Sequence, residues 1–186
     1  MTIIVAALLL ALLALWLVTT QRRLAVMDEN VNNAMGQLGV QLSSRFDALN
    51  ALLELAKDYA AREAQTLIEA VKLHRSAVTA KSIPEDVRRQ EIVISEALEG
   101  LSAMAERHPE LKADKDYARY MGAVDSYENM VRTSRLIYND SVTRLNRELR
   151  LFPTSLAARL LCFRARDYLE RQEDRTDMSG VKNKNN

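Results

Sequence analysis

The pattern of apolar positions changes once along this chain, and sharply. From Ile3 to Val18 every side chain is apolar, with Thr2, Thr19 and Thr20 as uncharged edges and Gln21-Arg22-Arg23 immediately after. A helix over residues 2–20 rises about 28 Å, close to the ~30 Å hydrocarbon core of a bilayer. Beyond it the apolar residues fall into stripes spaced alternately four and three apart. One stripe is Val31, Met35, Leu38, Leu42, Arg45, Leu49, Leu52, Ala56 and Tyr59. A second is Val87, Ile94, Leu98, Leu101 and Ala105. The third holds Tyr117, Met121, Val124, Glu128, Val131, Arg135, Tyr138, Val142, Leu145, Leu149 and Phe152. A 3.5-residue repeat implies helices crossing at shallow angles, as in coiled coils and up-down bundles.

Breakers divide these stripes into four predicted helices. The first covers about 28 to about 80, with or without a break from the apolar helix before it. The second follows Lys81-Ser82-Ile83-Pro84-Glu85, where Ser82 pairs with Glu85 as a capping box and Pro84 suits a first turn, and it runs to about 107. Pro109 pushes His108 out of helical geometry. Asp114 caps the third helix, which reaches about 151 before Phe152-Pro153. Thr154 or Ser155 caps the fourth, which reaches about 171. Short connections make neighbours antiparallel. The expectation is an all-α chain: an N-terminal transmembrane helix over 1–20, an antiparallel four-helix bundle with a long first helix over 21–171, and a disordered polar tail over 172–186. A first helix of about 50 residues spans ~75 Å and a second of about 23 only ~35 Å. Either the first helix breaks near Tyr59, or part of its stripe packs elsewhere, for instance on a second copy.

The flanks of the apolar run define the anchor. A cleaved leader starts with basic residues and ends in small ones. Here Met1 and Thr2 are uncharged and the bulky Trp16-Leu17-Val18 occupy the far end. An anchor reaching from Ile3 to Val18 is expected, with Trp16 at headgroup level. Arg22 and Arg23 follow the span, and flanking basic residues stay cytoplasmic. That places the N-terminus outside and the body in the cytoplasm. The single Cys162 forms no intramolecular disulfide and reads as a small core residue beside Phe163. Net charge is +1 with acids and bases interleaved, so no basic face for nucleic acid stands out. With 5 Gly and 3 Pro, the composition is that of helices.

Arg45, Glu128 and Arg135 interrupt the stripes, and continuing the first stripe past Tyr59 adds Glu63. A buried lone charge costs several kcal/mol, so these residues are expected to be paired in structural salt bridges with partners on other helices. Breaking a buried pair costs about 3–5 kcal/mol. Asn139 and Asn146, seven apart beside the stripe, suit hydrogen bonds to a neighbouring helix or a solvated flank equally well. Gly36 and Gly39 suit either a close approach or simple tolerance.

Several of these residues sit in segments that resemble the LemA family. Val40-Gln41-Leu42-Ser43-Ser44-Arg45-Phe46-Asp47 is similar to its first signature. Ala105-Glu106-Arg107-His108-Pro109-Glu110-Leu111-Lys112-Ala113 resembles the second, with His108 where an aromatic is more usual. Glu128-Asn129 through Arg135, Tyr138-Asn139-Asp140, Val142, Asn146 and Phe152-Pro153 resemble the third. One departure is that Asn50-Ala51 stand where many members carry Pro-Asn, which favours a straighter first helix. The resemblance covers roughly 21–168. It implies a bacterial, single-span membrane protein with a short external N-terminus and a cytoplasmic helical bundle, and it brings no catalytic residues.

No catalytic, metal or cofactor constellation is expected. His74 and His108 lack the Glu-x-x-His spacing of di-iron bundles, since Val71 and Ala105 stand three residues before them. No glycine-rich phosphate loop exists. The expected function is a membrane-anchored scaffold or adaptor that self-associates or holds partner proteins at the inner membrane face. The alternative is a small-molecule or peptide sensor using the buried Arg and Glu positions. An enzyme would need Cys162, a histidine and a carboxylate gathered in one cleft.

Overall fold

A computed structural model describes residues 1–169, and all its regular elements are helices: α1 (Thr2–His74), α2 (Pro84–Arg107), α3 (Pro109–Ala113), α4 (Lys115–Arg150) and α5 (Thr154–Leu160). The tail expected over 172–186 lies outside the described residues.

α1 runs without interruption from the apolar segment into the body. Residues 2–15 are all exposed, whereas Thr20, Leu24 and Val31 are buried, so packing begins where the apolar run ends. This apolar stretch is long and apolar enough to cross a membrane, and none of it is buried. The one non-helical residue inside α1 is Ala60, at φ −145° and ψ 64°. In a straight helix Arg75 would lie ~42 Å from Asp47. Its guanidinium is instead 2.9 Å from the Asp47 carboxylate and 5.2 Å above the Phe46 ring. Residues 61–74 therefore fold back along residues 47–59, and α1 has a long arm and a return arm. The break falls beside Tyr59, so of the two expected ways to resolve the mismatch of helix lengths the chain takes the break. At Asn50-Ala51 the helix is unbroken.

α4 runs antiparallel to the long arm. Tyr59 meets Asp114, Arg45 meets Glu128 and Arg23 meets Glu148 at 2.7–2.8 Å. α2 runs antiparallel to the return arm, with the Gln90 amide donating to the His74 carbonyl at 3.2 Å and Arg107 paired to Glu63 at 2.7 Å. The stripes form the centre of the core, joined by off-stripe residues such as Phe46, Leu53, Ile68 and Met104, while Phe152, expected at the end of the third stripe, is exposed because it lies past the end of α4. Val31, Met35, Leu38, Leu42, Leu49, Leu52 and Ala56 of α1 are all buried, as are Ile94 and Leu101 of α2 and Val124, Val131, Val142 and Leu145 of α4.

Four local expectations are corrected. The first helix ends at His74, not near 80. Residues 75–80 pass extended along the long arm, where Gly39 lets the Val78 carbonyl approach so closely that a Cβ would lie 2.0 Å from its oxygen. At Gly36 the nearest atom to such a Cβ, on Ala80, is 3.7 Å away, an ordinary contact. α2 begins at Pro84 as expected, but its cap is the Asp86 carboxylate accepting from the Ile83 N–H at 3.0 Å. Ser82 Oγ accepts instead from the Thr79 N–H. The predicted fourth helix ends at Leu160. Cys162, expected in the core, is exposed with φ 60°, and residues 163–169 continue without helix. The Asp114 cap of α4 forms as read, its side chain accepting from the Asp116 N–H at 2.7 Å.

Candidate functional site

The stripe charges assemble into cross-helix ion pairs. Arg45, 10% exposed, donates to Glu128 at 2.7 Å. Glu128, expected in the core, has half its side chain in solvent, because α4 turns that position to the rim of its seam with the long arm. The first and third segments that carry the family resemblance meet at this pair. Arg135 pairs with Glu91 of α2, and each side chain is 14% exposed, making this the more enclosed pair. Glu63 receives both terminal nitrogens of Arg107 at 3.0 and 2.7 Å near the surface. Partners on other helices are thus found for every expected stripe charge. Glu91 was not anticipated.

α4 also carries a different constellation, directed at a main chain. Asn139 Nδ2 donates to the Leu169 carbonyl at 3.0 Å, and its Oδ1 accepts from the Leu169 N–H at 2.9 Å. Asn146 repeats the pattern on Arg166, at 2.8 and 2.9 Å. Between them the Tyr138 hydroxyl donates to the Asp167 carbonyl at 3.0 Å. The pair of asparagines therefore bonds an extended segment where a neighbouring helix was one expectation. The Arg166 guanidinium grips Asp28 of α1 at 2.9 and 3.1 Å and reaches Asn32 at 3.3 Å. Leu169 is buried. This arm lies at the N-terminal end of α2, where α2 is too short to cover α4. A cavity of about 670 Å³ opens beyond it, walled by Ile83, Glu91, Ile92, Arg135 and Leu169 among others. A second of about 550 Å³ lies on its other flank, between Asp28, Ile83, Tyr138 and residues 161–167.

At the far end, Tyr59 donates to Asp114 at 2.7 Å. That bond holds the Asp114 carboxyl below the usual carboxylate range and, with burial, pushes the Tyr59 hydroxyl above its ordinary value. Burial likewise raises Tyr138.

The anchor residues Ile3 and Val18 are exposed, as is Arg22, while Trp16 is half-buried and Arg23 reaches Glu148 at 2.8 Å. His74 is exposed at the end of α1, His108 sits in the α2–α3 turn, and Cys162 lies beyond α5. Among the described residues no three His, Cys, Asp or Glu side chains gather as metal ligands would.

Residues 34–182 match the model of the LemA family. A search of curated proteins finds no match.

Proposed function

The chain belongs to the LemA family, and from that membership and the arrangement above we propose a membrane-anchored helical scaffold that self-associates or holds partner proteins at the inner face of a bacterial membrane, without catalysis of its own. Its body is a bundle of the two arms of α1, α2 and α4. Arg22 and Arg23 orient it toward the cytoplasm.

The observation that carries the reading is a second stripe on α1, on the face turned away from the core. Val26, Asn30, Asn33, Gln37 and Val40 are exposed at three- and four-residue spacing. The helix bearing them is continuous with the apolar span. Copies sharing a bilayer therefore present this stripe in parallel and at one height. Side-chain amides both donate and accept, so Asn33 of two copies complement each other, the role of a buried Asn in parallel coiled coils. Ile137 of α4 is exposed and lines a shared groove with Asn30, Asn33 and Gln37.

Mass measurement of the detergent-extracted full chain by native mass spectrometry tests this. The expected result is an oligomer, or a stable complex with a co-purifying protein, and the Val26→Glu/Val40→Glu variant should lose the oligomer while keeping its helix content. A strictly monomeric wild-type protein with no partner refutes the proposal.

A further inference from the structure

We infer that the α4 face bearing Tyr138, Asn139 and Asn146 is a binding site for an extended, basic polypeptide segment of a partner protein, and that residues 163–169 occupy it in cis. The five hydrogen bonds from these three side chains all go to main-chain groups. Such bonds read an extended backbone whatever its side chains, the principle by which strand-adding sites bind peptides. The spacing fits this use. Seven helical residues separate the asparagines by ~10.5 Å, and three extended residues advance by ~10 Å. Asn139 and Asn146 therefore stand in register with every third residue of any extended chain laid antiparallel to α4.

Selectivity comes from two pockets. The Asp28 carboxylate and Asn32 amide take a guanidinium in two-pronged fashion at the position of Arg166. A buried apolar seat takes the side chain three residues on, now Leu169. Past that seat the cavity walls carry Glu85 and Glu91, paired with Arg88 and Arg135 of the same walls, and also Glu96 and Glu99, which have no ion-pair partner among the described residues and leave the surface acidic. A segment with Arg, an apolar residue three positions later and basic residues beyond complements this surface better than an acidic one.

Among the described residues, 163–169 leave part of the site uncovered. Arg164, Ala165, Asp167 and Tyr168 are exposed, and cavities of about 670 and 550 Å³ flank the arm. The arm forms no helix or strand of its own, so its release breaks no regular element. Binding in trans is then set by the fraction of molecules with the arm released. The site belongs to one chain, so it operates in a monomer as well as in an oligomer, and its test is separate from that of self-association.

The test uses the full chain in detergent and a fluorescein-labelled peptide of the arm sequence, residues 163–169. Fluorescence anisotropy should show weak binding to wild type and binding about tenfold or more tighter to Arg166→Ala/Leu169→Ala, whose arm is loosened. Adding Asn139→Leu and Asn146→Leu should abolish it, and a peptide with Glu in place of the Arg166 equivalent should bind about tenfold more weakly. Hydrogen exchange on wild type gives a reading independent of variant folding: the Arg166 and Leu169 amides should exchange well before those of Val142 and Leu145. Absence of peptide binding to a folded arm-loosened variant, equal binding of the Glu peptide, or arm amides as protected as the core overturns the inference. So does a concentration-dependent dimer abolished by Asn139→Leu/Asn146→Leu, which would mark arm exchange between copies.

Discussion

Gly39→Ala isolates the contact that lets the chain return along its own first helix. On α1 in isolation alanine is the better residue, by about 1 kcal/mol. In the folded chain the new Cβ would lie 2.0 Å from the Val78 oxygen and 2.8 Å from its carbonyl carbon, about 1.4 Å inside ordinary contact for the oxygen. Both atoms are backbone, so no rotamer change relieves the overlap. The segment 75–80 must retreat, and it is tied at several points: Arg75 to Asp47 and Ser43, and the Ser76 N–H to Gln90 at 2.8 Å. Overpacking of this kind costs about 1–3 kcal/mol, and loosening those ties adds to it. Less the gain in helix propensity, the expected net loss is about 1–2 kcal/mol, or a fall in Tm of about 2–8 °C for a chain of this size. Far-UV circular dichroism melts of the full chain in detergent measure it. Gly36→Ala and Gly122→Ala are the internal controls. The first meets nothing nearer than 3.7 Å and the second nothing within 4 Å, so both should stabilise, by about 0.5–1 kcal/mol. Gly39→Ala as stable as wild type, or all three variants shifting in one direction, would refute the assigned path of residues 75–80.

The two interhelical pairs should differ in denaturant melts. Glu91→Gln breaks the more enclosed pair and should cost about 3 kcal/mol, whereas half-exposed Glu128 leaves room for water, and Glu128→Gln should cost about 1–2 kcal/mol. Equal or reversed losses refute the ranking. The Tyr59–Asp114 bond should shape the dependence of Tm on pH. Because the Asp114 pKa is lowered, its contribution is complete above the unfolded carboxylate value of about 3.9 and is lost as pH falls through the folded value. Because the Tyr59 pKa is raised, its contribution is complete below about 10 and is lost as pH rises through the folded value. Tyr59→Phe should flatten both limbs, and an unaltered Tm profile in that variant counts against the assignment.

What the stripes disclosed, and what they concealed, follows from where each packing partner lies. The heptad reading identified the buried face of the long arm residue by residue because that face is covered by other helices of the same period. From Tyr59 to Arg45, and from Asp114 to Glu128, the interval is fourteen residues on each helix, two whole heptads, so contact at one end implies contact at the other. The same rule would have found Glu91. The second stripe steps from Val87 to Ile94, and the omitted position between them is Glu91, the partner of Arg135. Asp28 stands likewise one step before Val31, where its charge points to a cation, supplied by Arg166. Periodicity is silent on segments that pack without being periodic. Residues 75–80 and 163–169 cover helical surface as extended chain, and their positions are set by Gly39, Asn139 and Asn146, residues on the helices they cross. A glycine facing a seam, or two amides seven apart beside one, thus marks the track of a non-helical segment. On α4 that track continues into a cavity beyond Leu169, which is why the asparagines, and not the ion pairs, are the residues to examine for binding.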